Sequence, residues 1–276
     1  ISTKPILLKN FVSFIRSINN RPELFFLEQF IKKGYLIADL KFNFDEYGTL
    51  KDDFKVNGLI KKGEISIFKK NKLDNINFLF DITQNNYSFR DISFDTNNIN
   101  FLSERLKIKK EKEGYLFEGN IKNKNSLLDD ELLKILKLSY PKFNLINTKF
   151  ASSNDFSFNV NKKFKIENFV INSKILILSS KFKKRDLIIE DYTRINDLID
   201  LKDHEIKLSY SNNKLFIEGN GQVKLQNKFE LIDYVMTNKG SDLSLKSNLN
   251  LSELDFKNQN LIKEYLPKTN EILSLK

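Results

Sequence analysis

The stretch KFNFDEYGTLKDDFKVNGLIKKGEISI, residues 41–67, alternates apolar and polar residues almost without interruption. Side chains on a β-strand point alternately to its two faces. Phe42 and Phe44 therefore share one face, as do Phe54 and Val56, and then Ile65 and Ile67. The stretch reads as consecutive strands, each apolar on one side and wet on the other. What covers the apolar side then decides the fold, and much of the function.

Downstream the pattern continues through Lys122. INFLFDI sets Ile76, Phe78, Phe80 and Ile82 on one face, and YSFRDISF offers Tyr87, Phe89, Ile92 and Phe94 in the same style. INFLSERLKI and GYLFEGNI extend it through Leu106, Ile108, Tyr115, Phe117 and Ile121. The turn signals EYG, KKG, QNN, TNN and KEG fall between these runs, which predicts antiparallel hairpins in a meander. Strands resume with FSFNV, KFKIENFVI and KILILSSKF, and again from HEIKLSY to DLSLKSNLNLSEL.

Helices are expected in three places. RPELFFLEQFIKKGY has Pro22 in a first turn, Phe26 and Phe30 on one stripe with Leu27 and Ile31 beside it, and Lys32, Lys33 and Gly34 as a stop. FVSFIRSI before it reads as a shorter amphipathic helix. NSLLDDELLKILKLSYPKF has Ser126 and Asp129 as a capping box, a Leu128–Leu132–Leu136 stripe and Pro141 as terminator. DYTRINDLIDLKD reads as a short helix or crossover, and NLIKEYLPK as a short helix or turn. The expected organisation is a helical lead-in (1–33), a first antiparallel section (34–125), a helical insertion (126–141) and a second β section (142–276).

DFKVNGLI, YLFEGNI and LFIEGNGQV echo one another, each with a glycine inside an alternating strand: Gly58, Gly119 and Gly219. Glycine in a strand marks a bulge or bend, and three of them would curve a long sheet.

A chain of 276 residues with 40% hydrophobic content can bury a real core. Its net charge of +10 is spread through the polar half of the strand pattern, which reads as a solvated face rather than a polyanion site. A clustered basic stripe, which sequence does not show, would support an acidic partner or nucleic acid. The lysine and asparagine excess reads as AT-rich coding bias. With no cysteine there is no disulfide framework and no thiolate chemistry. The longest apolar runs fall far short of the ~20 residues of a membrane span. The chain begins at Ile1 without a secretory signal and reads as part of something longer.

Enzymatic chemistry finds no foothold. His204 is the only histidine, so a His-based metal site or a catalytic triad would have to run entirely through it. Asp197, Asp200 and Asp203 lack the glycine and final glutamate of a calcium loop, and EGNGQ lacks both the phosphate-loop lysine and dinucleotide glycine spacing. The aromatics occupy the apolar half of the alternation, away from most lysines, so no nucleic-acid partner is expected. No cofactor and no metal are implied.

So many Phe, Ile and Leu residues on one face must be covered. Periodicity leaves three solutions open: a closed barrel, a sandwich, or an open groove meeting apolar ligands. Residues 34–122 and 204–256 carry an ordered rhythm: a Gly-led strand, an F-D-x-x-G turn, an apolar-x-G-x-apolar strand, then further amphipathic strands. That rhythm resembles the β-rich periplasmic part of the AsmA-like family, especially its large YhdP/TamB type. The resemblance implies a mainly β fold: a long curled antiparallel sheet forming a hydrophobic groove, with a few short amphipathic helices. It also implies a section of an envelope-spanning protein that conducts phospholipids between inner and outer membranes. Such a protein would be periplasmic and anchored in the inner membrane through a segment outside this chain. The family has no catalytic residues to carry over.

On this reading acyl chains would meet Phe42, Phe44, Phe54, Val56, Ile76, Phe78, Phe80 and Phe89 in the first section, with Leu215, Ile217 and Val223 in the second. The competing expectation is a structural or assembly scaffold of the cell envelope with a closed β core and no lipid path.

Overall fold

The computed structural model describes residues 2–18, 22–48, 51, 53–67, 71–128, 144–183, 198–240, 242–249 and 273–275. Two short helices and fourteen strands lie among them. The amino-terminal part holds β1 (Ile6–Leu7), α1 (Leu8–Ile18), α2 (Pro22–Phe30), β2 (Ile31–Lys41) and β3 (Lys55–Ile67). Then come β4 (Asn71–Thr83), β5 (Asn86–Thr96), β6 (Ile99–Glu111), β7 (Gly114–Leu128) and β8 (Asn144–Asn161). The remainder are β9 (Ile166–Lys183), β10 (Leu198–Ser211), β11 (Lys214–Lys224), β12 (Phe229–Lys239), β13 (Asp242–Leu249) and β14 (Leu273–Leu275).

The strands form one antiparallel sheet whose spatial order is the sequence order, and it is not closed into a barrel. Tight hairpins explain that order. Asn97–Asn98 between β5 and β6 and Asn212–Asn213 between β10 and β11 all have positive φ, 47° to 60°. That backbone matches the right-handed twist of the flanking strands, and asparagine tolerates it. The sheet residues group into two compact units, Ile1–Asn123 with Asp155–Phe169, and Lys124–Asn154 with Val170–Lys276.

In the first unit α1 lies against β2. Leu8 and Val12 are buried with Ile31, Leu36, Ala38 and Phe80, and Val56, Phe78 and Phe89 pack around that cluster. Arg16 of α1 pairs with Glu28 of α2 at 2.8 Å, and the Ser13 hydroxyl donates to the same carboxylate at 2.5 Å. The second helix stops at Phe30 and β2 starts at Ile31, earlier than the Lys32–Gly34 stop expected from sequence. Gly34, with φ of +132°, instead lies where the β2–β3 register shifts.

The opening stretch differs from its reading in two ways. Phe42 and Phe44 lie beyond the end of β2. There the Asp45 carboxylate accepts from the Tyr47 N–H (2.9 Å) and the Gly48 N–H donates to the Asp45 carbonyl (3.1 Å), closing a turn. Second, KKG is no turn: β3 runs straight through it as one strand of 13 residues. Lys62 takes φ of 51° and the register shifts on either side of Gly63, so an extra residue is absorbed as a bulge.

Such bulges recur. Asn75, Asp91, Asn125, Asn147, Asn168 and Asp203 sit inside strands with φ near 50°. The backbone groups they free are satisfied locally, as where Asn77 Oδ1 accepts from Lys62 N (3.1 Å) and Asn120 Oδ1 from Glu104 N (2.9 Å). Asparagine thus has a structural use here beyond coding bias.

Of the three echoing glycines, Gly58 and Gly219 are not bulges, since no register shift falls at either, whereas the β6–β7 register shifts beside Gly119. Each of the three gives room to a neighbouring ring: Phe80 over Gly58, Phe156 over Gly119 and Tyr234 over Gly219. Ser126–Leu128, expected to open a helix, instead finish strand β7, with the Ser126 hydroxyl turned toward the Lys124 carbonyl. Residues 129–143, 184–197 and 250–272, which carry the rest of that helix, the first half of DYTRINDLIDLKD and NLIKEYLPK, lie outside the described residues, while Leu198–Asp203, expected in a short helix or crossover, open strand β10.

Candidate functional site

Strand register decides which side chains share a face. In the first unit one row runs Leu40, Val56, Ile82, Tyr87, Ile108, Phe117, each residue opposite the next. A parallel row runs Ala38, Gly58, Phe80, Phe89, Leu106, Gly119. Phe94 faces Phe101 in stacked contact with centroids 5.4 Å apart, and Phe117 stacks on Phe158 at 4.8 Å. Tyr87 and Tyr115 meet at 6.5 Å although β6 runs between their strands. These rows are mostly hydrocarbon and ring, with the buried polar residues Ser103 opposite Ile92 and Asn123 opposite Phe101 among them.

Cover on this face is uneven. The helix α1 seals its β2–β4 end, and there Ile31, Leu36, Ala38 and Phe80 are buried. Farther along, Tyr87, Phe89, Phe94, Phe101, Leu106, Ile108, Tyr115, Phe117, Phe156 and Phe158 are only half-buried. Among the described residues ten hydrophobic side chains are buried and twenty large ones are exposed, several of the latter, such as Ile37, Leu79 and Phe216, on the opposite face.

The second unit repeats the arrangement. Ile171, Tyr210, Leu215, Asn238 and Leu243 form one cross-strand row, and Ser173, Leu208, Ile217, Met236 and Leu245 the next. On the last full strand Leu243 and Leu245 are 60% and 56% exposed. Polar groups interrupt this face where they are paired, as with the buried Thr148 and Ser180 hydroxyls 2.5 Å apart.

The residues expected to meet acyl chains therefore separate into groups. Val56, Ile76, Phe78, Phe80 and Phe89 share the first unit's apolar face, with Ile76 and Phe80 buried. Phe80 belongs to the core sealed by α1. Leu215, Ile217 and Val223 share one face of β11, and Val223 is buried. Phe42, Phe44 and Phe54 stand outside the strands, between β2 and β3. The alternation marks the half-buried rings of Phe94, Phe101, Phe117 and Phe158 one by one, but only register and packing show Phe94 against Phe101 and Phe117 against Phe158.

Charged groups stand mainly on the opposite face. Glu64 sits between Lys33 (3.1 Å) and Lys72 (3.3 Å), and the hydrogen bond from Lys33, ahead of that from Lys72, holds its carboxyl below the usual range. A hydrogen bond from Lys122 does the same for Glu104. Hydrogen bonding to Asp74 raises Lys72. His204 is the exception: it is buried on the apolar side, its ring lies over Gly221, and its Nε2 is 2.9 Å from the Gln222 carbonyl oxygen. Burial lowers its pKa, and the neutral ring serves as donor to that carbonyl. Burial likewise raises Tyr234, whose ring is 6.3 Å from His204.

Among the described residues no group of three or more His, Cys, Asp or Glu is arranged to hold a metal ion. No helix among them is long and apolar enough to cross a membrane. What the face offers is burial and dispersion, the chemistry of binding hydrocarbon. Comparison with protein families, with curated proteins and with solved structures finds no match to this chain.

Proposed function

We propose that the chain is a section of an envelope-spanning protein that binds phospholipid acyl chains on its apolar sheet face and conducts lipid between two membranes. In this reading the sheet curls into a groove, as the resemblance to AsmA-like proteins implies. It lies in the periplasm and is tethered by a segment outside the chain. Headgroups stay at the solvated opening, and transfer is passive.

The observation that carries the reading is the apolar face itself. In each unit it runs across several strands, and among the described residues α1 lies on the β2–β4 end of the first. A Phe or Leu left half in water forgoes about 1 kcal/mol of burial, and a row of them is an incentive for hydrocarbon to bind. Two further features support the curl. Bulges near φ 50° recur from β3 to β10, and bulges bend strands. Tyr87 and Tyr115 also lean together across an intervening strand.

The scaffold reading has one observation of its own: at the α1 end the face is already sealed by protein. Protein purified without detergent, lipid-extracted and analysed by mass spectrometry separates the two. The variant to compare is Phe94→Asp with Phe101→Asp, which lies away from the α1 core. Stoichiometric phospholipid in wild type, lost in a variant that keeps its circular dichroism, is the expected result. A folded wild type free of lipid would overturn the reading in favour of the scaffold.

A further inference from the structure

The solvent face of β2–β6 carries an arrangement that acyl-chain binding does not use. Arg90 on β5 lies directly opposite Arg105 on β6, and both are exposed. Next along the same face Lys107 lies opposite Ser88, and Lys109 opposite Asn86. Three successive outward pairs thus hold four cations and no carboxylate. On the flanking strands some cations are matched, Lys55 with Asp81 at 3.2 Å and Lys33 with Glu64 at 3.1 Å; Asp81 lies opposite Ser88, and Lys41 opposite Lys55. Glu104, which feels the charge of Arg105, is itself committed to Lys122. Glu118 faces Lys107 from the β7 side.

Like charges directly opposite each other destabilise a strand pair. The residue type sharpens the point, since only six of the 46 basic residues are arginine. Two of those six face each other here. Guanidinium forks match phosphate oxygens two at a time, which lysine does not.

The same cross-strand row continues Leu79, Leu59 and Ile37 away from Arg90. Ile37 is 40% and Leu79 36% exposed. Exposed aliphatics leading into guanidinium groups suit the boundary between acyl chains and headgroups. A free phosphate has no use for the aliphatics, and single-stranded nucleic acid would want aromatic rings beside the arginines.

We propose that this solvent face docks on the phosphate-bearing headgroups of an anionic bilayer, with Arg90 and Arg105 gripping phosphate. The proposal goes beyond acyl-chain binding and does not rest on it.

Vesicle flotation of the intact chain tests it. The vesicles are phosphatidylcholine alone, and equal parts phosphatidylcholine and phosphatidylglycerol. The variants are Arg90→Gln with Arg105→Gln, and a control of equal charge loss, Lys163→Gln with Lys165→Gln, on the exposed turn before β9. Wild type and control should float with the anionic vesicles only, and the arginine variant should partition about tenfold or more weaker. Its melting temperature should be unchanged or raised, because a like-charge pair has gone. The Phe94→Asp, Phe101→Asp variant should float as wild type does, which keeps this surface separable from the apolar face.

Equal flotation of the arginine and control variants would overturn the proposal, as would wild type that does not float. So would capture lost with the phenylalanine variant instead of the arginines. A parallel titration with pyrophosphate should show no binding. Tight pyrophosphate binding without flotation would replace a membrane surface with a free-phosphate site.

Discussion

The ring of Tyr234 lies across Gly219, its cross-strand partner, so closely that a Cβ on the glycine would overlap the ring Cζ and sit 2.5 Å from the hydroxyl oxygen. Gly58 faces Phe80 in the same way, but there the added Cβ would also overlap the Ile37 carbonyl oxygen and sit 2.8 Å from Ala38 Cα. A ring tip can swing aside and a paired backbone cannot.

Gly58→Ala should therefore cost about 1–3 kcal/mol in denaturant unfolding, as overpacking does, with little relief from adding Phe80→Leu. Gly219→Ala should be relieved by Tyr234→Leu, with a coupling of about 1 kcal/mol or more in a double-mutant cycle. Equal coupling at the two sites would mean that ring and backbone give way alike.

The bulges make a prediction of opposite sign. Asn75 holds φ of 50° inside β4, and its amide donates to Asp95 at 2.7 Å. Asn75→Gly keeps the backbone at the cost of one exposed hydrogen bond, and should lie within about 1 kcal/mol of wild type. Asn75→Val forces a β-branched residue into the left-handed region and should cost about 1–2 kcal/mol more than glycine. Thermal melts of the two variants decide it. Valine tolerated as well as glycine would mean that β4 can shed the bulge.

These two cases also show what the sequence carries and what it omits. Alternation and the turn signals QNN, TNN and KEG place β4 to β7, because hairpin pairing is local and each strand shows its apolar side. The glycine echo is just as visible, but sequence shows the missing Cβ and not the distant ring that fills its place. KKG fails for a related reason: Lys62 at a bulge and lysine in a turn take the same backbone conformation, and only pairing on both sides distinguishes them. The apolar face follows the same logic. Its residues stand out individually, yet which of them α1 covers is a tertiary fact, and that fact moves Phe80 from exposed face to sealed core. The basic pair is the extreme case, since Arg90 and Arg105 become neighbours only through the β5–β6 register.

His204 supplies a prediction in pH. Burial holds its folded-state pKa below the ordinary 6.5, outweighing the Gln222 hydrogen bond and the nearby Asp203 carboxylate, which pull the other way. The unfolded chain takes up a proton near 6.5, whereas the folded chain does so only at lower pH. Between those values the unfolded state binds more protons, so stability rises with pH. The contribution is complete above the unfolded value and is lost as pH falls through 6.5 toward the folded one. Glu64 and Glu104 have carboxyls held below 4.5, so their contribution is lost only at more acidic pH. Melting temperature should therefore fall between about pH 7.5 and pH 5.5, on either side of the histidine range. His204→Gln, which can keep a donor to the Gln222 carbonyl but cannot titrate, should flatten that slope. Wild-type and variant curves running parallel through this range would mean that the ring takes its proton as freely in the folded chain as in the unfolded one.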